Sequence, residues 1–89
     1  MKLLTKELER KLPAIGKGDG TAIIKFFCPW GKWTWYGFEY DPENRQFYGL
    51  VDGFEKELGY FSLDELEALR GPWGLRIERD LHWSPRKVS

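Results

Sequence analysis

The chain has 89 residues, 14 Lys plus Arg against 14 Asp plus Glu, and a formal net charge of zero. At 42% hydrophobic and 31% charged it is neither disordered nor collagen-like, and its length suits a single small domain, 1–89, with a thin core. No apolar run exceeds three residues, which excludes a transmembrane helix or signal-peptide core in this stretch and points to a cytoplasmic protein.

Thr5 is placed to cap a short helix over Lys6–Leu12, stopped by Pro13, with Leu4, Leu8 and Leu12 on one face. Gly16-Lys17-Gly18-Asp19-Gly20 reads as a flexible loop. The β-branched and aromatic run Ala22–Cys28 predicts a strand ended by Pro29, and Lys32–Tyr40 predicts a second. A turn at Asp41-Pro42-Glu43-Asn44 leads to Arg45–Val51, and Asp52-Gly53 leads to a fourth strand, Phe54–Phe61. Ser62-Leu63-Asp64-Glu65 is a capping box, and the helix behind it carries Leu63, Leu66 and Leu69 until Gly71-Pro72 ends it. In the tail, Leu75, Ile77, Leu81 and Trp83 occupy odd positions, as one more extended segment would require, and 85–89 reads as a frayed end. The sum is an α+β domain: an antiparallel four-stranded β-meander, with room for a fifth C-terminal strand, packed with two short helices.

Five Trp, four Tyr and six Phe make 17% of the chain. Large rings that freeze few rotamers compensate for a small interior, yet so many exceed what a short chain readily buries. On the second strand, alternation sends Trp33, Trp35 and Gly37 one way and Thr34, Tyr36, Phe38 and Tyr40 the other. One face packs on the helices; the other is either covered by the tail or left as an aromatic surface. Trp33, Trp35, Tyr36 and Tyr40 are therefore candidate contacts for a partner or ligand.

The chemistry is sparse. One cysteine, Cys28, and one histidine, His82, exclude an internal disulfide and an ordinary zinc site, and no metal or cofactor is expected. Cys28 sits in an apolar strand, where a buried inert thiol is expected. No nucleophile–base set, P-loop or dinucleotide fingerprint is present, so the chain is not read as an enzyme. Glu55 and Glu57 share one strand face and Glu39 and Asp41 another; such pairs serve as acid and base or simply face solvent. Arg70, Arg76 and Arg79 are read as tail-tethering ion-pair partners or as an anion-binding set.

Charge is unevenly placed along the chain. Residues 1–38 carry seven basic and three acidic groups, residues 39–67 two basic and nine acidic, and residues 68–89 five basic and two acidic. The middle is thus net −7 between basic ends. Either its carboxylates, with Glu39, Asp41, Glu43, Glu55 and Glu57 foremost, form a surface for a basic partner, or they neutralise the basic ends internally. Direct nucleic-acid binding is disfavoured by the acidic middle.

Several stretches together carry a family likeness: Met1-Lys2-Leu3-Leu4-Thr5-Lys6, Lys25-Phe26-Phe27-Cys28-Pro29-Trp30, Trp33-Thr34-Trp35-Tyr36 and Phe47-Tyr48-Gly49-Leu50-Val51. They continue through Gly59-Tyr60-Phe61-Ser62-Leu63, Arg70-Gly71-Pro72, Gly74-Leu75 and Ile77-Glu78-Arg79-Asp80-Leu81. In these stretches the chain resembles the domain-of-unknown-function family 2958 of bacterial mobile elements. What the resemblance implies is carriage on plasmids or phages, where small accessory proteins counter host defence in the manner of anti-CRISPR proteins.

Three readings follow. The first is a non-catalytic protein that docks on a larger, basic protein or nucleoprotein complex through acidic and aromatic groups. The second is a small-ligand or nucleotide module that stacks its ligand on Trp33, Trp35 or Tyr36 and holds phosphate with Arg70, Arg76 or Arg79. The third is a single-stranded nucleic-acid platform.

Overall fold

The computed structural model describes residues 1–88. Its elements in chain order are α1 (Lys6–Lys11), β1 (Thr21–Ala22), β2 (Ile24–Phe27), β3 (Thr34–Asp41), β4 (Gln46–Asp52) and β5 (Lys56–Ser62). They continue with α2 (Leu63–Ala68), a 3-10 turn (Pro72–Gly74), β6 (Glu78–Arg79) and β7 (Arg86–Lys87). The fold is α+β as expected: β5, β4, β3, β2 and β6 form a five-stranded antiparallel sheet in that order, with β2 to β5 as the meander.

Each helix has six residues, too few to hold alone, and its ends and packing sustain it. The Thr5 hydroxyl accepts from the Leu8 amide at 3.2 Å, and Ser62 Oγ accepts from the Glu65 amide at 3.2 Å. The amide half of the expected capping box therefore forms, while Ser62 itself closes β5 opposite Gln46. Arg45 clamps α2 to the β3–β4 turn, donating to Asp64 at 2.6 Å and to Glu67 at 2.7 Å. Both helices lie on one sheet face, where Leu3, Leu4, Leu12, Leu63 and Leu66 pack against Ile24, Phe26, Trp35, Tyr40, Phe47 and Phe61.

The strand alternation breaks once, with large effect. Gly37 pairs with Gly49 and Glu39 with Tyr48, so Phe38 is an extra residue in β3. Beyond this bulge every side chain changes face. Tyr40, expected beside Tyr36 and Phe38, instead lies buried on the helix face, 4.7 Å from Phe47. Glu39 moves the other way, onto the face of Tyr48. Gly49 makes room for the bulge: a Cβ there would stand 1.8 Å from the Tyr36 carbonyl oxygen.

The tail departs from expectation in two places. The alternation of Leu75, Ile77, Leu81 and Trp83 predicts a longer strand than the two-residue β6, because a turn bonds the Trp83 amide to the Asp80 carbonyl and sends Leu81 into solvent. Conversely, the end read as frayed carries β7, where Arg86 pairs with Ala22 and Lys87 with Thr21; Ser89 lies outside the described residues. This pairing draws β1 off the expected Ala22–Cys28 strand, which breaks at Ile23. It also lays Trp83 over the second sheet face, 5.5 Å from Tyr36, with its indole N–H donating to the Ala22 carbonyl at 3.0 Å. The tail covers the Tyr36–Phe38 half of that face, and Leu58 and Tyr60 beyond it remain 57% and 60% exposed.

Replacing Gly49 with Ala should cost about 3 kcal/mol or more, since backbone rather than a mobile side chain blocks the methyl group. Gly59→Ala, in open space on β5, should change stability by about 0.5 kcal/mol or less. Urea denaturation of the two variants checks the contrast.

Candidate functional site

At the end of the sheet where β2 turns into β3 and β4 into β5, aromatic side chains gather. Cys28 follows the last residue of β2 and precedes Pro29, and Trp30 and Trp33 sit in the turn before Trp35 on β3. Across from it, Asp52 pairs with Lys56, leaving Gly53, Phe54 and Glu55 as the hairpin loop. Phe54, expected as the first residue of a strand, is instead the loop tip and 95% exposed. Its ring meets Trp33 at 5.4 Å and 80°, and Trp33 stacks on Trp35 at 6.1 Å. Gly53 permits this: a Cβ there would come within 2.3 Å of the Trp33 ring.

Two clefts of about 240 Å³ flank Trp33. Trp33, Val51, Phe54, Glu55 and Glu57 wall one. Cys28, Trp30, Trp33, Trp35, Leu69 and Ile77 wall the other, which is almost wholly apolar. Just past α2, Trp73 stands 97% exposed in a left-handed backbone conformation, φ 55°, that bulky residues rarely adopt.

The sequence-predicted acidic residues divide. Glu55 and Glu57 meet at the Trp33 cleft, and neither is in an ion pair among the described residues. Asp41 and Glu43 lie at the opposite end of β3, roughly 24 Å away at 3.4 Å per residue. Asp41 is bound up in its turn, accepting from the Glu43 amide at 3.0 Å and the Asn44 side chain at 2.8 Å. The Asn44 side-chain bond holds the Asp41 carboxyl below the usual range. Glu39 is 8% exposed and structural: its two oxygens accept from the Gly16 and Gly18 amides at 2.9 and 2.8 Å, so the expected flexible loop is tied to β3. Asp64 and Glu67 are matched by Arg45, whose pKa rises through its bond to Asp64. The acidic segment is therefore partly neutralised within the fold and partly open at Glu55 and Glu57.

The predicted aromatic set divides as well. Trp33 and Trp35 share the site, Tyr36 lies under Trp83 on the other face, and Tyr40 is in the core, where burial pushes its phenol up. The three arginines do not converge on these clefts. Arg70 donates to the Glu67 and Leu69 carbonyls at the end of α2, at 2.6 and 2.9 Å. Arg76 bridges Arg70 through the backbone, and Arg79 donates to the Lys2 and Leu3 carbonyls, tethering the N-terminus. Cys28 is buried as expected.

A family model described as protein of unknown function (DUF2958) matches residues 2–88. The chain belongs to the DUF2958 family. No curated protein and no solved structure matches it. Among the described residues of this DUF2958 chain no group of three or more His, Cys, Asp or Glu is placed to hold a metal, and no helix is long and apolar enough to cross a membrane. Sequence reasoning missed Phe54 and Trp73. Their signal is the setting, Asp-Gly-Phe-Glu and Gly-Pro-Trp-Gly, since a ring at the tip of a turn has no sheet neighbour to bury it.

Glu39→Ala leaves the Gly16 and Gly18 amides without partners and should cost about 2–3 kcal/mol. Faster hydrogen exchange at those two amides, measured alongside thermal unfolding, is the expected signature.

Proposed function

We propose that this chain is a non-catalytic binding protein that docks on a larger, basic protein through the Trp33–Phe54 end of its sheet. The supporting observation is the 95% exposed Phe54 held against Trp33, beside Glu55 and Glu57, which are in no ion pair among the described residues. Exposed aromatic groups with apolar clefts beside them are what dominant contacts of protein interfaces look like, and adjoining acidic groups speed encounter with a basic partner. Carriage on a mobile element and an anti-defence role belong to the same proposal, with this surface as the inhibitory face. A cytoplasmic site of action suits the single reduced thiol, Cys28.

Affinity capture from the native host with the intact chain and with Phe54→Ala tests the reading. Phe54 contributes almost nothing to the fold, so the variant should keep its unfolding midpoint while its affinity for the captured protein falls about tenfold or more. Charge reversal at Glu55 and Glu57 should slow association and reduce its dependence on salt. Identical capture by the intact chain and Phe54→Ala would overturn the proposal.

A further inference from the structure

The Trp33–Phe54 cleft has the composition of a cation subsite. Its two rings stand nearly perpendicular, 80° between their planes, in an edge-to-face contact at one wall of the cleft. Val51 adds an apolar surface, and Glu55 and Glu57 bring two carboxylates to the rim. Lys56, between them in sequence, points to the other side of β5 by strand alternation and does not fill the space. At about 240 Å³ the cleft falls below the roughly 300–1,000 Å³ of small-molecule sites and suits one long side chain.

The fold itself shows both halves of the recognition. Arg86 stacks its guanidinium 4.0 Å from the Trp83 ring centroid, and Arg45 sets one guanidinium between two carboxylates, Asp64 and Glu67. The Trp33–Phe54 cleft brings an indole ring and two glutamates together, and among the described residues no arginine is in its lining. A guanidinium is planar, weakly hydrated and able to stack while its edge donates to carboxylates, which an ammonium does less well. We propose that this cleft receives an arginine side chain presented by a basic protein partner, lying on Trp33 with its N–H groups directed to Glu55 and Glu57. The inference rests on the docking surface above and assigns the chemistry of its central contact.

The probe is a capped Gly-Arg-Gly peptide, with the citrulline peptide as its neutral counterpart of the same shape. Binding is followed through the Trp33 indole N–H resonance, identified by its loss in Trp33→Phe. A saturable shift with the arginine peptide is expected, at least about fivefold weaker with citrulline and about tenfold weaker in the Glu55→Gln, Glu57→Gln double variant. Both glutamates are exposed and in no ion pair among the described residues, so that variant should fold as the intact chain does. Equal binding of the two peptides, or no saturable shift at tens of millimolar, would overturn the assignment. Failure of the peptide with Phe54→Ala still losing its captured protein removes the arginine and leaves the docking surface; unchanged capture by Phe54→Ala removes the surface itself.

Discussion

The close passage of β3 and β4 at Gly37 and Gly49 is the constraint on which the other placements depend. With hydrogen as its side chain, Gly49 lies against the Tyr36 carbonyl, and the pairing resumes one residue out of step beyond Phe38. A bulge of this kind reverses the facing of everything downstream in the strand. Tyr40 is thereby delivered to the core and Glu39 to the loop it organises. Without that reversal the core would receive a carboxylate and the loop a phenol.

The two sheet faces and the two sheet ends solve different problems. Two six-residue helices cover one face with leucines, and the tail covers part of the other with Trp83, itself held by Ala22, Tyr36, Lys25 and Arg86. The Asp41–Arg45 end is satisfied internally, its turn amides bound by Asp41 and its arginine by α2. The opposite end leaves rings and carboxylates open. A chain of this size has the least interior to spare, and the rings it leaves most exposed are Phe54 and Trp73 on turns and Tyr60 on the edge strand β5.

Local signals carried most of the architecture. Thr5 and Ser62 mark both helix starts, Pro13 and Gly71-Pro72 bound the helical stretches, and β-branched and aromatic runs locate the meander. Facing on β3 was legible only as far as Gly37, because nothing local distinguishes Phe38 as an inserted residue; Gly49, in the neighbouring strand, is the residue that admits it. The β1–β7 pairing joins residues more than sixty positions apart, a long-range contact to which no propensity speaks. At the site, Trp33, Trp35, Glu55 and Glu57 were legible as residue types, whereas their meeting required knowing that two turns close at the same sheet end.

The arrangement of that end also explains why the acidic total misleads as a measure of surface. Of the nine acidic residues between 39 and 67, Glu39 is buried on loop amides, Asp41 serves its turn, and Asp64 and Glu67 balance Arg45. A net charge counted along sequence treats these as equal to Glu55 and Glu57, although a carboxylate already accepting hydrogen bonds or paired with a cation attracts a partner less than one left in solvent. What distinguishes Glu55 and Glu57 is the absence of such partners among the described residues together with their position beside Phe54 and Trp33. On the proposed docking role, affinity at such a surface would come from desolvated rings and orientation from the two charges, so the short hairpin loop after β4 would matter more to recognition than the larger acidic segment around it.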